Sequence, residues 1–351
     1  MHDKIDSMST DEEILRISKI ICEIIKKIDF GKDLDKTLNV LTTARGLFIN
    51  LDLVTETLIY QVVNLANRAH KITNGRHNQK TQSFVKACIA YSHITIPTLE
   101  DMDKQIVLFQ MTAHASLLNG LIGETESLLR AILTTMDDHF TREAKRVTSL
   151  GKKVETDYSD GLKKMGEVLR SILGFLVVVP SNPENAYFQI VEGILNFLKK
   201  DEWGTSQLSY KIQVQVLDSC VRYLASQLQD NLPYRIPNVE SNDQIFIGND
   251  DFVQEAEGLM DHCFELIMEI IQKLDETKEQ YYPVLFEACL DSANILIGNC
   301  QIQGKVNGYI NRMFKMSDKY LVEHNKMKGN EELTRAYINS SYEAFRKKKE
   351  V

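Results

Sequence analysis

The side chains in this sequence best able to ligate a metal or attack an electrophile are six cysteines and eight histidines. The cysteines are Cys22, Cys88, Cys220, Cys263, Cys289 and Cys300, no two close together. Zinc sites need ligand pairs spaced to close on one ion, and the chain has neither a Cys-x-x-Cys nor a His-Glu-x-x-His arrangement. His262 and Cys263 are adjacent, so on a helix they point apart, and Cys88 and His93, five residues apart, share a face only loosely. Most cysteines sit inside apolar periodic stretches, the pattern of reduced, buried thiols in a cytosolic protein. No zinc or other metal site is expected.

Phosphate chemistry fares no better. Gly298 to Val306 resembles a phosphate-binding loop, but its glycines are one residue too far apart. Val306 also stands where a magnesium-binding hydroxyl belongs, and a helix leads in where a strand should. A helix stop at Gly298 and a restart after Gly304 account for both glycines. There is no Gly-x-Ser-x-Gly nucleophile elbow. The carboxylate pairs Asp137–Asp138 and Asp250–Asp251 are sequence neighbours, so on helices they diverge by about 100° and read as caps and solvated faces. The residues imply no catalytic centre and no cofactor.

The elements that would position any site are helical. Only 6 prolines and 17 glycines occur in 351 residues, with 43% hydrophobic and 26% charged residues. That is globular, helix-favouring composition. The net charge of −8 disfavours nucleic-acid phosphates. Arg142 to Arg170, with eight basic and five acidic side chains, and the tail Arg346 to Lys349 tip locally the other way and read as solvated faces and a frayed terminus, a membrane or acidic-partner patch being the alternative. No signal peptide is expected in the polar stretch Met1 to Glu13, and the longest apolar run, Ile172 to Pro180, is about half of a bilayer crossing.

Apolar spacings of three and four predict roughly thirteen helices. The first, near Ser9 to Ile28, carries Ile14, Ile17, Ile21, Ile24 and Ile28. Further stripes are Leu58, Val62, Leu65 and Ala69; Ile106, Phe109, Ala113 and Leu117; and Ile212, Val216, Cys220, Leu224 and Leu228. Another is Phe252, Ala256, Leu259, Cys263, Leu266, Ile270 and Leu274. Such a stripe does not repay the ordering of about twenty residues by itself, so each helix must stack on neighbours. Antiparallel pairs at a period of roughly 40–50 residues form an α-solenoid. With no strict sequence repeat, a divergent HEAT-like stack spanning 1–351 as one solenoid is expected, a compact bundle being the structural alternative. The long loop at 231–250 carries Pro233, Pro237 and several apolar residues. Two readings of it stand. Its apolar residues pack back onto their own helices, or Tyr234, Ile236, Phe246 and Ile247 dock a partner.

Three runs carry a resemblance: 87–99 (ACIAYSHITIPTL), 105–121 (QIVLFQMTAHASLLNGL) and 216–225 (VLDSCVRYLA), the last followed by the proline-containing loop. Over most of its length the chain resembles the carboxy-terminal part of the vacuolar protein sorting 35-like family of the retriever complex. The resemblance implies a non-enzymatic α-solenoid scaffold for endosomal cargo recycling. It also implies binding of the small phosphoesterase-fold vacuolar protein sorting 29 subunit. The wider setting would be the commander assembly, with its coiled-coil and COMM-domain proteins, peripheral on endosomes from the cytoplasm. An arrestin-like subunit binds toward the other end of the family's full chain, so its contact is not expected here. The different reading from the helices alone is a scaffold or regulator in nuclear transport or phosphatase assembly.

Overall fold

The computed structural model describes residues 9–149, 159–182, 184–204, 206–229, 235–275, 282–300, 304–328 and 332–349. Every long element among them is an α-helix. The chain packs as two compact units. One holds the residues up to Thr141 together with Arg235–Glu240, and the other holds those from Arg142 onward without that segment.

The first unit contains α1 (Asp11–Lys26), α2 (Leu34–Leu47), α3 (Asp52–Thr73), α4 (Gln79–Thr95), α5 (Met102–Leu118) and most of α6 (Ile122–Ser149). Local chemistry sets the ends. Thr10 and Glu13 form a capping box at the start of α1, where Asp11 and Glu12 also meet the positive end of the helix dipole. Asn74, in the left-handed conformation, closes α3. Within the unit α3 is central, packed against α1, α2, α4 and α5.

The cross-helix contacts give the register. Asp52 Oδ2 accepts the Glu100 N–H, and Glu56 pairs with Lys104 at 3.0 Å. Asp35 pairs with Lys80, and Arg45 donates to Thr95 Oγ1 at 2.9 Å. In each set the residue numbers rise together on both helices. Thus α3 runs parallel to α5 and α2 to α4, with antiparallel neighbours between. That is the signature of stacked helix pairs.

The second unit repeats the scheme with α7 (Ser159–Leu176), α8 (Gln189–Leu198), α9 (Gln207–Gln227), a short α10 (Asn242–Ile245), α11 (Asp250–Asp275), α12 (Tyr282–Asn299), α13 (Gly304–Lys328) and α14 (Glu332–Lys349). Lys305 meets Asp261 at 2.6 Å and Lys319 meets Asp275 at 2.7 Å, both separations being 44 residues. So α13 lies parallel to α11, one repeat along. Lys211–Glu287 and Asp218–Ser292 set α9 parallel to α12 in the same way. Phe314 packs on Phe345 while Asp318 accepts from Tyr342 Oη, which makes α13 and α14 antiparallel. The fold is the expected all-α solenoid of stacked antiparallel pairs. Three of the parallel pairs step by 44 to 50 residues, inside the expected period, and α9 and α12 by a longer 74 to 76, across the 231–250 segment. Among the described residues, the α-helix that the sequence reading did not expect is the single turn α10, inside the segment read from sequence as loop.

The stripes sit largely as expected. Leu58, Val62, Leu65 and Ala69 are buried, as are Ile106, Phe109, Ala113 and Leu117, and Ile212, Val216, Cys220 and Leu224. Two corrections apply. Ile24 is 57% exposed, because α1 turns Ser18, Ile21, Cys22 and Ile25 inward. On α11, Leu259, Leu266 and Ile270 are half-buried, and Met260, Ile267 and Ile271 take the core. A rotation of one residue, about 100°, separates the two sets, and the neighbours of α11 select the second.

Two substitutions test this packing. Leu224 is fully buried at the centre of the second unit, so Leu224→Asp is expected to lower helicity and melting temperature by circular dichroism, a loss of several kcal/mol (about 3–5). Gly166 lets α7 approach α9 so closely that an added Cβ would stand 2.5 Å from Ile212 Cγ2. Gly166→Ala is expected to destabilise by about 1–3 kcal/mol in denaturant melts, with partial recovery in Gly166→Ala/Ile212→Val.

Candidate partner-binding site

Of the four residues singled out in the 231–250 segment, Tyr234 lies outside the described residues. Ile236 is half-buried in the first unit. There Asn238, at φ 65°, fits against Gly75, where a Cβ would come within 2.9 Å of Asn238 Nδ2. Phe246 and Ile247 belong to the second unit, and the structure separates them sharply. Phe246 is 9% exposed and Ile247 is 83% exposed.

The turn that separates them is built from its own side chains. Ser241 starts α10 with a capping box to Gln244. Asn242 is buried: its Oδ1 accepts the Ser181 N–H at 2.7 Å, and its Nδ2 donates to Gln227 Oε1 at 2.7 Å. Phe246 then stacks on Phe252 with ring centroids 4.8 Å apart and meets Tyr187 edge-on at 5.0 Å. Gly248 turns the chain at φ 71°, a conformation that side chains disfavour. Asn249 Oδ1 accepts the N–H groups of Asp251 and Phe252, capping α11, while its Nδ2 donates to Tyr187 Oη at 3.0 Å. For Phe246 the packing-back alternative is realised, since stacked aromatics gain more from one another than from water. Ile247, one residue on, is turned outward.

Sequence reasoning missed a buried acid. Asp218, in mid-α9, is 6% exposed and accepts from Ser292 Oγ on α12 at 2.8 Å. Burial pushes its carboxyl up to about 7, opposed by the Ser292 hydrogen bond and the Arg222 charge and reinforced by Asp291. The polar break at Asp218 inside the run 216–225 was the available signal.

The remaining chemistry-bearing residues are dispersed. All six cysteines are free and buried. Burial raises the Cys88 thiol to about 12 and the Cys300 thiol to about 11 and raises Cys289 as well, while a hydrogen bond with Cys263, then burial, raises Cys220. Raised thiols hold their protons and are poor nucleophiles at neutral pH. Cys263 is buried while His262, half-buried, turns toward Glu265 at 3.7 Å. Gly298 lies within α12, and Gly304 opens α13. Among the described residues no three His, Cys, Asp or Glu side chains gather to hold a metal. A cavity of about 470 Å³ opens between α11 and the connector after α8, with Trp203 and Tyr210 beneath and Leu266 and Ile270 along one side.

Stacked pairs with an inward-facing core and a rigid outward turn define a helical-repeat protein of the α-solenoid class. Residues 1–329 match the family described as the VPS35L C-terminal domain. The chain belongs to that family. It is 29% identical over 326 residues to a Dictyostelium discoideum protein called VPS35 endosomal protein sorting factor-like, covering 92% of this chain and 31% of that one. It is 28% identical to each of the proteins called VPS35 endosomal protein-sorting factor-like from Danio rerio and Homo sapiens. Those matches cover 80% and 78% of this chain, and 28% and 27% of theirs. The chain therefore spans about a third or less of the length of these curated relatives. Among solved structures, a circular tandem repeat protein is similar over 97% of this chain and 80% of its own, at TM-score 0.44 and 15% identity.

Asp218 gives a pH test with a definite sign. Its folded value, about 7, lies above the ordinary 3.8, so the native state binds the proton more tightly than the unfolded chain. Its penalty on stability is absent near pH 4, grows as pH rises, and is complete above about pH 7. Asp218→Asn, which can still accept from Ser292, is expected to raise the melting temperature at pH 8 and to lose that advantage toward pH 5. The gain is on the order of 1–4 kcal/mol at most. Equal melting shifts at both pH values would contradict the buried-acid assignment.

Proposed function

We propose that this chain is a scaffold segment of an endosomal protein-sorting complex that carries no catalytic step of its own. Membership of the VPS35L C-terminal domain family, across residues 1–329, carries this reading, because the relatives that share the domain bear the name endosomal sorting factor. The architecture supports it physically. A stack of helix pairs has a core that repeats along its axis, so its outer faces are free to hold other proteins. No helix among the described residues is long and apolar enough to cross a membrane, which suits peripheral attachment to endosomes through partners, from the cytoplasmic side.

The finer assignment is a place in the retriever complex and its commander assembly, recycling membrane proteins from endosomes to the cell surface. The direct partner is the vacuolar protein sorting 29 subunit, with coiled-coil and COMM-domain proteins in the wider assembly. The test is direct. The full chain, mixed with purified vacuolar protein sorting 29 subunit, is expected to co-elute in size-exclusion chromatography, with a micromolar or tighter Kd by calorimetry. No complex, together with recovery of nuclear-transport or phosphatase subunits in a pull-down, would reverse the assignment in favour of the other scaffold reading.

A further inference from the structure

Helix α11 carries two apolar lines side by side. Cys263, Ile267 and Ile271 form the first, buried where α11 packs on α9. Leu266 and Ile270 belong to the second, and they are half-buried because they border the cavity of about 470 Å³. The connector after α8 forms the opposite wall, and its own bonds hold it. Trp203 is 2% exposed; its Nε1 donates to the Phe197 carbonyl at 2.9 Å and its ring meets Phe197 edge-on at 5.7 Å. Gln213 Nε2 donates to the Leu198 carbonyl at 3.1 Å and ties the connector to α9. Tyr210 and Leu217, both buried, complete the floor. The recess is therefore built from the packed interior of the second unit and needs no ligand to form.

Its volume lies within the roughly 300–1,000 Å³ of small-molecule sites. Its layout matches them too, with apolar side chains beneath and along one side and charged groups at the mouth. Those groups are Lys199, Lys200 and Lys273, three ammonium groups against the carboxylates of Asp201 and Glu269. The whole chain carries a net charge of −8, so this mouth is a local reversal of sign. An apolar recess with a cationic mouth complements a molecule that has one apolar body and one anionic end. No strand among the described residues offers an edge on which an extended peptide could pair its backbone. A compact amphiphile fits the recess better.

We propose that this cavity binds an amphipathic carboxylate of the fatty-acid type. Its chain lies over Trp203 and against Leu266 and Ile270, and its head meets Lys199, Lys200 and Lys273. The site goes beyond the scaffold reading and does not rest on it, because the second unit supplies every wall whichever complex the chain serves.

Trp203 is the one tryptophan of the chain, so tryptophan emission reads this cavity alone. The experiment titrates the full chain with decanoate, decanol and decylamine, which share a hydrocarbon chain and differ in head group. Trp203 emission and calorimetry are followed together. Decanoate is expected to change the emission saturably, with a Kd on the order of 10–100 µM, and to bind about tenfold or more tighter than the other two. Leu266→Ser is expected to weaken all three by about threefold to tenfold. Lys199→Glu/Lys273→Glu alters two exposed residues. It is expected to leave the melting temperature unchanged and to erase the advantage of decanoate over decanol. Equal binding of the three amphiphiles, or an advantage that survives the double variant, overturns the cationic mouth. No binding of decanoate, or calorimetric binding without any change in Trp203 emission, overturns the site. Displacement of decanoate by a pool of acidic hexapeptides with Leu or Phe at the centre overturns the choice of a small amphiphile over a peptide. Each of these failures leaves the scaffold reading standing, since that is decided by co-elution with the vacuolar protein sorting 29 subunit.

Discussion

Each long helix among the described residues buries apolar side chains, and none can do so without neighbours to cover them. The solution in both units is to place one helix where four others can reach it. In the first unit α3 receives α1, α2, α4 and α5, and in the second α9 receives α7, α8, α11 and α12. The rest is built around these two helices. The ion pairs that mark the register, such as Lys305–Asp261 and Lys319–Asp275, lie on partly exposed faces and contribute at most about 1 kcal/mol each. They report the stacking; burial of Val216, Leu224 and Ile267 drives it.

A helix surrounded on all sides must bury polar groups as well, and α9 does. Gln213 Nε2 donates to the Leu198 carbonyl, Gln227 accepts from Asn242, and Asp218 accepts from Ser292. Each is a buried group whose cost is reduced by a specific partner on another element. Asp218 is the most expensive, since a carboxyl so placed holds its proton up to neutral pH. Asn242 serves a different end. By bonding both Ser181 and Gln227 it fixes the position of the turn that follows, and so fixes what Phe246 and Ile247 face.

The candidate site is therefore an outgrowth of the core. The aromatic group of Tyr187, Phe188, Phe246 and Phe252 closes the corner where α10 ends and α8 and α11 begin. The residue exposed on its far side is held by packing that has nothing to do with a partner. A surface feature made in this way stays rigid for as long as the unit is folded, which suits a protein whose proposed task is to hold others in place.

Much of the fold was legible in the residues. Periodic spacing in 58–69, 106–117 and 212–224 located the helices and their inner faces, because a 3.6-residue period leaves one face apolar whatever the neighbours are. Family resemblance in 87–121 and 216–225 likewise rests on the order of residues alone. Where the period was ambiguous, only the packed neighbours decided. Sequence could not choose between Leu266 and Ile267, or between Ile24 and Ile25, since adjacent apolar residues differ by 100° of rotation and either could face inward. Nor could it choose between Phe246 and Ile247, two apolar neighbours in an acidic segment. Tyr187 and Phe252, far apart in the chain, meet at one point and leave room for a single ring there, so the phenylalanine went in and the isoleucine was left outside.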